Sequence, residues 1–205
     1  MDNVFKELLS LKRFKKELKF THITKTGGTS IEKLGLNNNI RWGLHHGEYK
    51  NHHKPLNEQK KELVEKYDWF MVVRNPYDRI ISELHCKWGN RKKNEILNKS
   101  KEEINQYIRD CIIYRDINNK NKYYCYGHYK EQYKYLYDNI NIIKFENLKE
   151  EFDLLMVKYN IDLKLESHLN KNNKMFTVND LDKHTIDIIN HVYNKDFELF
   201  NYKKI

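Results

Sequence analysis

The stretch Phe20-Thr21-His22-Ile23-Thr24-Lys25-Thr26-Gly27-Gly28-Thr29-Ser30-Ile31-Glu32 sets the architecture of this chain. Its apolar start reads as a short strand over 20–23, its glycines as a loop, and Ser30-Ile31-Glu32 as the start of a helix. Gly27 and Gly28 remove side chains from a tight turn, so successive backbone N–H groups can approach an anion closely. The following helix adds N-terminal donors and partial positive charge. Lys25 supplies a mobile point charge, and Thr26, Thr29 and Ser30 supply hydroxyl donors. A Gly-Gly pair alone marks an ordinary turn. Strand, lysine, double glycine and paired hydroxyls together mark a phosphate site.

Further along, Trp69-Phe70-Met71-Val72-Val73 is a continuous apolar run of the kind found in a parallel sheet covered on both faces. Asn75 then suits a helix N-cap and Pro76 the first helical position, where its missing N–H costs nothing. A third strand is expected over 140–145. Helical patterns are read over 58–67, 101–113, the Tyr-rich segment 123–137, 148–159 and 180 to about 200. An amphipathic helix within 1–18 is expected to lie against the domain. Strands alternating with helices give an α/β class with a central, mainly parallel sheet flanked by helices. Ligands of such sheets sit beyond the carboxyl ends of the strands, and both motifs fall there. No repeat and no proline-rich or Gly/Ser-rich linker divides the chain, so 1–205 reads as one domain.

The 38 Lys+Arg against 29 Asp+Glu give a formal net charge of +9, which favours anionic partners: phosphate-bearing cofactors, acidic glycans or nucleic acid. The abundance of Lys, Asn, Ile and Tyr and the absence of Ala fit a biased genome, which discounts part of that basic excess. Cys86, Cys111 and Cys125 are an odd number without metal-ligand spacing, so they read as free thiols. Charges interrupt residues 1–20 too often for a signal peptide or membrane anchor. The expectation is a soluble, intracellular protein, with a Golgi-type location left open for a trimmed chain.

The loop is not a Walker A sequence, because Lys25 precedes the glycines instead of following them. The strand 69–73 ends in Arg74, where a magnesium-holding acid would stand in a nucleoside triphosphatase. Arg74 offers a fork of donors suited to phosphate oxygens. Ser82 lies seven residues beyond Asn75, about two helical turns, and returns to nearly the same face. Arg74 and Ser82 can then converge on one anion. The plain structural alternative is an arginine paired with Asp78 and a serine on a helix surface.

Residues 21–30, Thr-His-Ile-Thr-Lys-Thr-Gly-Gly-Thr-Ser, and 73–82, Val-Arg-Asn-Pro-Tyr-Asp-Arg-Ile-Ile-Ser, resemble the two cofactor signatures of sulfotransferases that use 3′-phosphoadenosine 5′-phosphosulfate (PAPS). The branch most resembled is that of carbohydrate and heparan sulfate O-sulfotransferases. Residues 143–148 (Ile-Lys-Phe-Glu-Asn-Leu) and 193–202 (Tyr-Asn-Lys-Asp-Phe-Glu-Leu-Phe-Asn-Tyr) add support. The resemblance implies that Lys25, Thr26, Gly27, Gly28, Thr29 and Ser30 hold the 5′-phosphosulfate, and that Arg74 and Ser82 hold the 3′-phosphate. Thr24 departs from the proline of many relatives. The implied reaction is in-line displacement at sulfur by a hydroxyl, that of a carbohydrate as the resemblance to this branch implies, with adenosine 3′,5′-bisphosphate leaving and no metal required.

Lys25 and the loop donors would stabilise charge on the leaving phosphate and sulfuryl oxygens. For the proton acceptor, relatives carry a His or an acid near 44–48, so His45 and His46 stand first and Glu48 is the reserve. His22 is expected to be packed and hydrogen-bonded. Asn170 and Lys171 are candidates to approach the 3′-phosphate or adenine, and the Tyr cluster 123–137 to line a sugar cleft, with packing as the simpler role. Nucleic acid is not expected as a partner, and the sequence carries no sign of oligomeric state. A non-catalytic polyanion binder and a small phosphate-loop kinase are the competing functions.

Overall fold

A computed structural model describes residues 15–43, 53–86, 93–116, 127–166 and 175–205. Three parallel strands form its sheet: β1 (Leu18–Phe20), β2 (Asp68–Val73) and β3 (Asn141–Lys144), in the order β1-β2-β3. Phe20 stands opposite Phe70, and Phe70 opposite Asn141, so β2 is the central strand. Its residues 69–73 are all buried, as the continuous apolar run requires. Alternation along the strand then sends Phe70 and Val72 to one face and Trp69, Met71 and Val73 to the other.

Helices cover both faces. On the first, Phe70 and Val72 pack with Ile31 of α1 (Gly28–Asn37), with Trp42, and with Phe152 and Met156 of the helix that follows β3. The Trp42 indole N–H donates to the Leu18 carbonyl at 3.0 Å, fastening the segment after α1 to the first strand. On the second face, Trp69 packs with Leu56 of a preceding 3-10 turn and with Val64 of α2 (Lys61–Lys66), while Met71 and Val73 meet Ile23, Tyr135 and Phe200.

Beside the sheet lies a helical core. It is built from α3 (Pro76–Leu84), α4 (Lys93–Leu97), α5 (Lys101–Ile113) and, after β3 and its helix α6 (Leu148–Lys158), from α7 (Lys183–Val192) and α8 (Asn194–Leu199). Three of these helix starts have a local reason. The Asn75 side chain accepts from the Tyr77 N–H at 3.0 Å, with Pro76 in the first turn. Ser100 and Glu103 form a reciprocal capping box at α5, and Asp182 accepts from the Thr185 N–H at α7.

Three expectations are corrected. The first strand begins at Leu18, inside the range assigned to an N-terminal helix, and ends at Phe20 instead of running to Ile23; residues 1–14 lie outside the described set. The Tyr-rich segment, where described, is no α-helix but turns leading to a 3-10 turn, Gln132–Tyr135. Gly127 is left-handed at φ 79, and the Asp196 carboxylate takes the N–H groups of Gln132 and Tyr133 at 2.9 and 2.8 Å, bonds that a continuing helix would have made to its own carbonyls. The last helical region is two helices, jointed at Tyr193, whose φ of −99° and ψ of 21° leave the α region. Among the described residues, no helix is long and apolar enough to cross a membrane.

Candidate functional site

The loop after β1 is held from several sides. Thr26 is fully buried, and its hydroxyl donates inward to the Ile23 carbonyl at 2.8 Å. Any contribution of Thr26 to an anion therefore comes from its main chain. Thr24 donates to the His128 carbonyl at 3.0 Å. Lys25 is left-handed at φ 64, a conformation that costs a non-glycine residue roughly 1–2 kcal/mol. Gly27, at φ 86, pays no such penalty and serves as the N-cap of α1. No side chain caps that helix and its first turn carries no acid, while Thr29 and Ser30 are exposed there.

The two glycines are needed for different reasons. A Cβ on Gly27 would approach the side chains of Leu148 and Phe145 to 3.0 and 3.2 Å. A Cβ on Gly28 would stand 2.2 Å from the His22 ring. His22 is buried, as expected, and its Nδ1 lies 2.9 Å from Glu32 Oε1 on α1. Close packing of this imidazole under the helix start is thus what forbids a side chain at 28.

Arg74, the residue after β2, joins the two motifs. Its guanidinium donates to the Lys25 carbonyl at 3.2 Å, a charge-assisted bond worth roughly 1.5–3 kcal/mol, enough to offset the left-handed lysine. The guanidinium also lies over the Phe145 ring, 4.2 Å from its centre, and its Nε is buried without a partner among the described residues. Burial lowers the Arg74 pKa from its ordinary value, and the nearby Asp78 and Glu146 carboxylates oppose that shift. The expected arginine–Asp78 relation is therefore electrostatic, while the hydrogen bond goes to the loop.

The backbone of Arg74 is clamped as well. Its N–H donates to Gln132 Oε1 and its carbonyl accepts from Gln132 Nε2, both at 2.8 Å, so one amide side chain imitates a neighbouring strand. Asp196 of α8, with no exposed surface, accepts from the Gln132 and Tyr133 N–H groups. Burial raises its pKa, against the pull of Arg79 and these bonds. On the other side, Glu146 accepts from the Asn75 N–H at 2.9 Å and from the Tyr202 hydroxyl at 2.8 Å. Burial and that carboxylate both push the Tyr202 pKa upward. The segments 143–148 and 193–202 thus supply the surroundings of Arg74.

Ser82 sits half-buried on α3, two turns beyond the Asn75 cap. Lys25 to Ser30 and Arg74 are brought together by direct contacts; no hydrogen bond joins Ser82 to them. His45, His46, Glu48, Asn170 and Lys171 lie outside the described residues. Sequence reasoning missed Gln132, Asp196 and Glu146 as supports of Arg74. It also missed a file of histidine rings: His22 and His53 have centres 4.6 Å apart, and His53 and His128 5.8 Å apart. The His-rich stretch ending at His53 was the available signal for the second of these.

Exposed loop donors, an uncapped helix start and an arginine with a buried nitrogen unpartnered among the described residues are groups of the kind that suit phosphate oxygens. Residues 9–155 match the model of a protein family described as the sulfotransferase family. Comparison with curated proteins and with solved structures yields no match.

Proposed function

From the premise that this chain belongs to the sulfotransferase family and is an enzyme of that kind, we propose that its donor is PAPS and its acceptor a carbohydrate hydroxyl. The observation that carries the reading is the junction of Arg74 with the Lys25 carbonyl, which ties an arginine at one strand end to an anion loop at the next. A donor with phosphates at both the 3′ and 5′ positions uses both halves. A nucleoside triphosphate would leave Arg74 without a purpose and would ask for a metal-holding acid at its position.

In this reading the N–H groups of residues 26–30, the Thr29 and Ser30 hydroxyls and the Lys25 ammonium hold the 5′-phosphosulfate. Arg74 and Ser82 hold the 3′-phosphate, with Lys171 close to it. The acceptor oxygen attacks sulfur in line with the departing phosphate oxygen, and charge grows on that oxygen and on the sulfuryl group. Fixed N–H donors and Lys25 meet this charge without reorganising, which is the largest catalytic effect such a site can provide. His45, His46 and Glu48 are the proton acceptors that the sequence suggests.

Transfer of radiolabelled sulfate from PAPS to sulfate-free chondroitin and heparosan tests the proposal. Lys25→Ala and Arg74→Ala are expected to reduce transfer by at least about 100-fold, the scale of losing one charge-stabilising donor. Undiminished turnover in both variants would overturn the assigned roles.

A further inference from the structure

The file of three histidines ends in a carboxylate that the proposed donor site does not use. His128 Nδ1 lies 2.9 Å from Oε1 of Glu83, on α3 directly after Ser82. Glu83 is 2% exposed and its second oxygen, Oε2, is buried without a partner among the described residues. A half-satisfied buried carboxylate is costly, and a purely structural role would be better served by an apolar side chain. The His128 side chain is 23% exposed, so part of it reaches solvent while its Nδ1 is held by the acid.

The main chain of His128 is tied to the same loop. Its carbonyl accepts from the Thr24 hydroxyl at 3.0 Å, one residue before Lys25, and from the Arg79 guanidinium at 3.1 Å. Arg79 also donates to the Lys130 carbonyl at 2.7 Å, so the chain on both sides of Tyr129 is fixed. The groups around the ring are Glu83 of α3, His53 beyond its face and the Arg79 guanidinium at its backbone. An ionised Glu83 can only accept, which puts the proton on Nδ1 and leaves the lone pair on Nε2. Nε2 has no partner among the described residues.

We infer that His128, oriented by Glu83, and not one of the sequence candidates His45, His46 and Glu48, is the catalytic residue that takes the proton of the acceptor hydroxyl. This rests on the sulfuryl-transfer reading above. As the acceptor oxygen bonds to sulfur, the bond from sulfur to the bridging phosphate oxygen breaks and its electron pair leaves with adenosine 3′,5′-bisphosphate. The hydroxyl proton passes to Nε2, and the imidazolium so formed faces the Glu83 carboxylate. Glu83 is a positioning residue: it fixes the tautomer and offsets the new charge, as the carboxylate of a Ser-His-Asp site does. The Thr24 bond keeps this base in register with Lys25.

Water can act as acceptor in slow hydrolysis of PAPS, so the test does not depend on knowing the natural one. His128→Ala is expected to bind adenosine 3′,5′-bisphosphate within about twofold of wild type, and to lose sulfate release and transfer by about 100-fold or more, the usual worth of a general base. Added imidazole should restore part of the loss. Glu83→Gln should cost about tenfold with nucleotide binding intact, within the range of general-base effects. Nitrogen-15 NMR of the unaltered protein should find His128 protonated at Nδ1. Turnover of His128→Ala within about threefold of wild type, well short of a base's contribution, overturns the inference. So does an Nε2-protonated tautomer, a measurement that stands even if the alanine variant does not fold. Failure of the wild type to bind adenosine 3′,5′-bisphosphate would instead overturn the donor reading, and the tautomer would still decide the state of His128.

Discussion

Lys25, Gly27 and Gly28 are consecutive or nearly so, yet different forces fix each of them. Lys25 is left-handed because Arg74 holds its carbonyl, Gly27 because the helix must start there, and Gly28 is bare because His22 occupies the space of its side chain. For Gly28→Ala two effects compete. Alanine gains at most about 1 kcal/mol of helix propensity. Against that, a Cβ 2.2 Å from a buried ring tied to Glu32 is overpacking of the kind that costs roughly 1–3 kcal/mol. The clash prevails, so the variant should melt several degrees below wild type by circular dichroism; an equal or higher melting temperature would show that the ring moves aside freely.

At the scale of elements, α8 reaches Arg74, and so the proposed donor site, through one glutamine. Gln132→Ala deletes both bonds to the Arg74 main chain and leaves two part-buried polar groups to find new partners. Affinity for adenosine 3′,5′-bisphosphate should fall about tenfold, equal to about 1.4 kcal/mol, while that for AMP should change little. Calorimetric titration of the two nucleotides separates this from general damage, since general damage would weaken both alike. None of this clamp was legible beforehand. The loop could be read because its glycines, lysine and hydroxyls are adjacent, and α3 because Asn75-Pro76 is a local start signal. Gln132 and Asp196 are 64 residues apart and have no meaning until the chain folds. Helical spacing in the Tyr-rich segment even pointed the wrong way, because Asp196 took the N–H groups that a helix there would have used. His128 was hidden for the same reason, being 45 residues from Glu83.

For the molecule as a whole, a formal charge of +9 favours polyanions in general, whereas the proposed donor site would select among anions by shape. The two are separable by ligand and by salt. Adenosine 3′,5′-bisphosphate at 100 times its dissociation constant should add about 2.7 kcal/mol of stability, or roughly 5–10 °C for a chain of this size. AMP at the same concentration should shift the melt much less, and the bisphosphate shift should survive salt that abolishes heparin binding. Equal shifts from both nucleotides would leave charge alone as the binder.

The clamp around Arg74 also bears on how the chain comes to be folded. Residues 25, 74, 132 and 196 meet within a few hydrogen bonds, spanning separations of 49, 58 and 64 residues. Contacts of such range form late, after the loops between them have been closed. The anion loop and its helix can take shape early from local sequence, but the arginine opposite them is placed only when the final helix docks. A partly folded chain would hold a loop without its counterpart, so the junction of the loop with Arg74, and with it the proposed two-ended grip on a nucleotide, would arrive in one cooperative step with completion of the fold.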